Sequence, residues 1–102
     1  MRGEVFRLRA PREARREQFG ARYAVVVESD LLPLSTLLVA PTSTSARPAT
    51  FRPEIVVAGR ATRVLAEQTA AIDPTRLGAR AGQLTLAEMQ QVDAALRIVM
   101  AI

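Results

Sequence analysis

Apolar residues along this chain come in short runs broken by turn residues until residue 85, after which their spacing changes. In EVFRLR, Val5, Phe6 and Leu8 interleave with Arg7 and Arg9, which predicts a first strand over residues 4–9 with one wet face. Residues 10–20, APREARREQFG, have no apolar period and hold Pro11, Gly20 and mixed charges, so they read as a long exposed loop. Ala21 to Glu28 is apolar on both faces and ends at the polar turn Glu28-Ser29-Asp30, the pattern of a buried central strand too short to cross a membrane. After the break SDLLP, the stretch LSTLLVAP predicts a third strand over 34–41. TFRPEIVV predicts a fourth over 50–57, pushed to an edge by Pro53, which has no N–H to give a ladder. Ala58, Gly59 and Arg60 turn the chain, and residues 62–73 give one or two further short strands closed by Asp73 and Pro74. RLGARAGQL, residues 76–84, reads as a turn leading into a last short strand.

From Thr85 onward the period is helical. Thr85 and Glu88 form a capping box, and Leu86, Met89, Val92, Leu96 and Val99 make one stripe, predicting a helix over 86–100 that packs on the sheet. Five or more short strands followed by one helix indicate a β-rich α+β domain, a small and strongly bent sheet or barrel.

Composition narrows the chemistry. A chain of 102 residues makes one domain, residues 1–102, able to bury roughly 60–70% of its unfolded surface without staples. It has no cysteine and no histidine. Disulfides and thiolate metal sites are excluded, as are Ser-His-Asp and paired-histidine nuclease mechanisms. The basic residues are all arginine, 14 of them against 10 acidic ones, and the net charge of +4 favours a polyanionic partner. The opening MRGEVFRLRAP lacks the apolar run of a signal peptide, and no later segment is long enough for a span, which predicts a cytoplasmic protein away from membranes.

Two polar clusters flank the central strands. Glu17, Gln18 and Arg22 precede the second, and Thr42, Ser43 and Thr44 follow the third. Antiparallel pairing of those strands sets the start of one beside the end of the other and brings the clusters together. A guanidinium donates in a fixed fork and hydroxyls add donors, so this is a workable phosphate site. The plainer reading is a strand-end arginine and a hydroxyl turn, each with its head in water.

Taken in order, RGEV, then EQ-x-G-x-R before an apolar strand ending in SD, then VAP with hydroxyls, AEQ-x-x-x-ID-x-x-RLG and GQLT-x-x-E-x-x-x-VD-x-AL resemble the MazF/PemK toxins, from Arg2 to about Met100. The resemblance implies an SH3-like small β-barrel with a C-terminal helix. It implies the toxin of a type II toxin-antitoxin system, a sequence-selective endoribonuclease that cleaves single-stranded RNA without metal and leaves a 2′,3′-cyclic phosphate and a 5′-hydroxyl. It also implies a homodimer, and a cognate MazE-like antitoxin with an acidic tail that meets residues 10–20.

The family's catalytic arginine falls on Arg22 and its hydroxyl partner on Ser43, within APTS. Negative charge grows on the phosphorane oxygens during 2′-hydroxyl attack, and both residues offer donors there. Arginine as the base is harder to accept, because a guanidinium carries almost no free base at neutral pH. Glu17 is the carboxylate nearest Arg22 in sequence; it orients the guanidinium, serves as base, or is a surface loop charge. Arg15, Arg16, Arg12 and Arg47 would attract phosphates if they line a groove, and otherwise are scattered surface charge. Gln18, Tyr23, Thr42, Thr44, Glu67 and Gln68 complete the RNA-contacting candidates, each with a structural alternative. Three positions depart from the family pattern: Tyr23 stands where a proline usually follows the arginine, Ser43 replaces a threonine, and Ala70 sits where a basic residue is frequent. The first adds a ring beside the site, the second keeps the hydroxyl, and the third bears on sequence preference. The same barrel also carries CcdB-like gyrase poisons, which bind a partner through their C-terminal helix. That non-enzymatic reading, and an RNA-binding module that has lost cleavage, are the alternatives.

Overall fold

A strand that is apolar on both faces has to be covered on both, and Tyr23–Val26 organises the fold accordingly. The structure, a computed structural model, describes residues 1–9 and 22–102. Numbered in chain order, the strands are β1 (Glu4–Leu8), β2 (Tyr23–Val26), β3 (Leu37–Ser43), β4 (Glu54–Val57), β5 (Arg60–Val64), β6 (Ala70–Ile72) and β7 (Leu77–Gln83), followed by helix α1 (Leu86–Met100). The sheet order is β4-β5-β3-β2-β1-β7, with β6 joining the first half of β3. Every pairing is antiparallel.

β3 bends the sheet. Its N-terminal half, Leu37–Val39, pairs with β6, while Thr42 and Ser43 pair with β5. On the opposite edge, β1 pairs with β7 across two register shifts, and such bulges bend and twist a ladder. The result is a curled half-barrel closed at one side by α1. Side chains on one face of the sheet, among them Val5, Val25, Ala40, Ile55 and Val64, pack with Val92, Ala95 and Leu96 of the helix. Ala24, Val26 and Val39 point the other way and meet Phe6, Leu8, Leu37 and Ile72. The two-sided burial expected for β2 is therefore realised in two separate clusters.

The structure differs from the sequence expectation in several details. β3 starts at Leu37 rather than Leu34 and runs through Ser43, so Thr42 and Ser43 belong to the strand and not to the loop after it. The ladder begins where Leu38 O accepts from both Val27 N (3.1 Å) and Glu28 N (3.3 Å) and the buried Glu28 carboxylate accepts Leu38 N (3.1 Å). β4 is only Glu54–Val57, because Pro53 ends the ladder, and it lies at the sheet edge as expected. Residues 77–83 form one seven-residue strand where a turn leading into a short strand is expected, and Gly78 lies inside it, where an added Cβ would sit 3.1 Å from Arg7 O. Finally, the helix spans 86–100 as expected, but Leu86 and Val99 at the ends of its stripe are exposed and Ala95 is buried instead. Only the middle turns of α1 lie over the sheet.

The β4–β5 hairpin turns on Ala58 and Gly59, both at positive φ (51° and 78°), with Val57 paired to Arg60 across them. Two positive φ values in a two-residue loop are the type I′ arrangement that matches strand twist. Among the described residues no helix is long and apolar enough to cross a membrane.

Candidate functional site

The antiparallel β2–β3 pairing on which the site depended is present. Its register opposes Ala24 to Pro41, Val25 to Ala40 and Val26 to Val39. Continued toward the end of β3, the same register sets Tyr23 across from Thr42 and Arg22 across from Ser43. Two hydrogen bonds hold that continuation in place. Thr42 Oγ1 donates to Tyr23 O at 3.3 Å, and on the other side Leu8 N donates to Arg22 O at 2.8 Å, carrying the β1 ladder one residue past Tyr23. The backbone of Arg22 is thus fixed by β1 while its side chain is exposed.

Strand alternation then sorts the side chains. Tyr23 and Thr42 face the helix side: Tyr23 packs against the main core and Thr42 is buried. Arg22 and Ser43 fall on the opposite face. Ser43 Oγ accepts Ser45 N at 3.2 Å and lies 3.3 Å from Ser45 Oγ. The Ser45 amide occupies a lone pair and leaves the Ser43 hydroxyl proton available to an acceptor.

The remaining candidates divide. Thr44 and Gln68 are exposed near the same strand ends, and Arg47 is exposed with its carbonyl accepting from Arg52 Nη1 at 3.4 Å. Glu67 is engaged with Arg52, which donates from Nε at 3.0 Å and lies 2.7 Å away through Nη2. Burial pushes the Glu67 carboxyl up, but the hydrogen bonds from Arg52 and from its own backbone, with the guanidinium charge, hold it below the ordinary carboxylate range. Its other oxygen, Oε1, and the nearby Thr69 Oγ1 are buried without a hydrogen-bond partner among the described residues. Glu17, Gln18, Arg12, Arg15 and Arg16 lie outside the described residues.

Sequence reasoning passed over Arg52 and Arg63. Arg63 is the direct ladder partner of Ser43 on one side and of Glu54 on the other. Alternation along TRVL was enough to set Arg63 on the face opposite Val64, but nothing local indicated which residue of β3 it would meet.

Comparisons with known proteins bear on the family and the fold. A candidate toxin of Mycobacterium tuberculosis is 50% identical over 70 residues, which cover 67% of this chain and 65% of that protein. This chain therefore spans a little under two thirds of the length of the curated relative it matches. Among solved structures, an endoribonuclease in complex with its cognate antitoxin, from a mycobacterial species, superposes with a TM-score of 0.82 at 18% identity, covering 100% of this chain and 95% of that one. The Mycobacterium tuberculosis toxin MazF-mt6 gives 0.79 at 15% identity with 97% of each chain covered. A MazE-MazF structure from Deinococcus radiodurans also gives 0.79, at 19% identity, covering 98% and 94%. At such identities the superpositions establish the fold, a MazF-like curled sheet with a C-terminal helix. Residues 1–100 match the family described as PemK-like, MazF-like toxin of type II toxin-antitoxin system, and the chain belongs to that family.

Proposed function

We propose that this chain is an endoribonuclease toxin that cuts single-stranded RNA by attack of a 2′-hydroxyl on the adjacent phosphorus. The observation that carries the reading is the β2–β3 register, Ala24 to Pro41, whose continuation by two residues puts Arg22 opposite Ser43 on the face away from the helix. As the 2′-oxygen bonds to phosphorus and the bond to the 5′-oxygen breaks, charge accumulates on the non-bridging oxygens. The Arg22 fork and the Ser43 hydroxyl donate to them, an effect worth several kcal/mol when the donors are fixed beforehand. The 2′-hydroxyl loses its proton and the leaving 5′-oxygen gains one, so the products are a 2′,3′-cyclic phosphate and a 5′-hydroxyl. Glu17 is the nearest carboxylate in sequence for proton transfer. A chain without histidine or cysteine suits a metal-independent route.

The same reading makes the protein a cytoplasmic homodimer restrained by a MazE-like antitoxin with an acidic tail. Solved relatives that carry antitoxins support the partner. Leu31, Leu32 and Leu34 are exposed by 88%, 50% and 56%, an apolar loop that a second copy would cover.

Incubation with a long single-stranded RNA in EDTA tests the reaction. Fragments with 5′-hydroxyl ends are expected. RNA that is bound but uncut would instead identify an RNA-binding module, and RNA neither bound nor cut would move the reading to a gyrase poison.

A further inference from the structure

Arg22 and Ser43 do not stand alone on their face of the sheet. β5 opposes Arg63 to Ser43, and β4 opposes Glu54 to Arg63. Directly opposed residues of antiparallel strands project to the same side, so Glu54, Arg63, Ser43 and Arg22 form one polar row across β4, β5, β3 and the extension of β2. The core side confirms the phase: Val64, Ile55 and Val57, which alternate with Arg63 and Glu54, are all buried with the helix. Ser43 therefore has an arginine on each side. The two guanidinium-bearing positions are two strand spacings apart, about 10 Å at the backbone, a span that brackets more than one phosphate of an extended strand.

Arg63 is also built to hold its head in place. Its Nη1 donates to Arg52 O at 2.8 Å, and its Nη2 lies 3.6 Å from Glu54 Oε1. A guanidinium carries five N–H donors, and one hydrogen bond to a carbonyl leaves most of them for a ligand. The Glu54 carboxylate is largely exposed, so its attraction for Arg63 is weak and a phosphate can replace it. Arg52, whose carbonyl holds Arg63, is itself clamped by Glu67 and stacked on Phe51, with 5.4 Å from its guanidinium carbon to the ring centre.

We infer that Arg63 is a second phosphate-binding residue of the site, taking the RNA backbone phosphate next to the one held by Arg22 and Ser43. The inference rests on the endoribonuclease reading. It also gives Glu54 a role, as the carboxylate that occupies the Arg63 head before RNA arrives and opposes the incoming phosphate.

The test measures binding of a short mixed-sequence single-stranded RNA, 2′-O-methylated throughout so that it is not cut, across a range of salt concentrations. Arg63→Gln should weaken binding roughly tenfold at low salt, the usual scale for one charge-assisted hydrogen-bonded contact. It should also reduce the slope of log affinity against log salt by about 0.7, the value of one single-strand phosphate. Arg97→Gln, which removes the same charge from the exposed face of α1, should leave the slope unchanged. Glu54→Gln should tighten binding, whereas a purely structural Arg63–Glu54 pair would leave affinity unchanged or lower it. On cleavable RNA, Arg63→Gln should raise KM and leave kcat within a few-fold, and Arg63→Lys should restore most of the slope. If Arg63→Gln binds with the parental slope, the inference fails while the nuclease reading stands. If it does not fold, an unchanged affinity in Glu54→Gln overturns the inference on its own. A parental protein that binds no RNA at all overturns both readings together.

Discussion

Replacing Arg22 by alanine separates structure from chemistry. The folded state gains little from this side chain, which is exposed and, among the described residues, makes no ion pair. The contact that matters to the sheet, Leu8 N to Arg22 O at 2.8 Å, uses the backbone and survives the substitution. Arg22→Ala should therefore change stability by no more than about 0.5 kcal/mol. Ser43→Ala loses the acceptor of the Ser45 amide, but Ser45 is exposed and water replaces the bond, so its cost should also stay below about 1 kcal/mol. Cleavage should respond differently. Removing one preorganised donor that acts in the transition state typically costs about a hundredfold or more in kcat, which is about 2.7 kcal/mol. Arg22→Ala should fall by that factor, Ser43→Ala by less, and the double variant by less than the product, since both act on one phosphate. The assay is single-turnover cleavage of a long RNA by proteins whose urea midpoints match the parent. A folded Arg22→Ala variant that cuts at the parental rate would refute the phosphate-clamp role and leave Arg22 as a solvated charge at a strand end.

Other substitutions test the scaffold. The Glu88 carboxylate accepts Thr85 N and Val56 N, both at 2.9 Å, so it caps α1 and ties it to the edge strand β4; Glu88→Ala should cost about 1–2 kcal/mol in urea denaturation. Burial pushes that carboxyl up, but the backbone donors and the Thr85 hydroxyl bring it below its ordinary value of 4.5, so the stability it adds is present above that pH and lost as pH falls through the folded-state value. Glu88→Gln should flatten the acid limb of the stability curve, and an unchanged limb would contradict the assignment. Arg2 reaches Asp93 at 2.6 Å and Val27 O at 3.0 Å, a half-buried staple between the N-terminus and α1; Arg2→Ala and Asp93→Ala should each destabilise by about 1–2 kcal/mol, and the double-mutant cycle should show coupling. Ala58 sits at φ 51°, where Asn is better tolerated, so Ala58→Asn should raise the melting midpoint by the equivalent of a few tenths of a kcal/mol, about 0.5 at most. Light scattering at roughly tens of micromolar should report a dimer, and a monomer there would contradict the covering of the Leu31–Leu34 loop.

The contacts explain which parts of the sequence were readable. Most pieces of the family pattern turn out to be joints of the scaffold. Arg2 of RGEV meets Asp93 of VD-x-AL, Glu4 takes Arg80 Nε at 2.7 Å, and Asp30 of SD accepts Arg2 N at 3.0 Å. In RLG, Arg76 Nε donates to Arg9 O at 3.1 Å, and Gly78 admits the close approach of Arg7 O. These joints need particular residue types at particular places, which is why an ordered set of weak motifs could indicate a fold. The helix and β2 were readable for simpler, local reasons: the helix has a capping box and a long apolar period, and β2 is a short β-branched run closed by a polar turn. Edges of β3 and β7 were not, because a strand ends where its partner ends, and that partner lies elsewhere in the chain.

Register is the property that no local pattern carries, and it decides the composition of the site. From the residues alone, Arg22 and Ser43 come together only if β2 and β3 pair antiparallel, and a slip of one residue would turn one of them into the core. The structure sets them on one side because Val25–Ala40 and Val26–Val39 fill two different clusters, so the pairing cannot shift without exposing both. The same constraint fixes β5: Val64 has to stay in the core opposite Thr42, and this forces Arg63 beside Ser43 on the outer face. To Arg22 and Ser43 of the sequence reading the register thereby adds Arg63, on the other side of the serine. The packing of valines on one face of the sheet thus determines which polar side chains line up on the other.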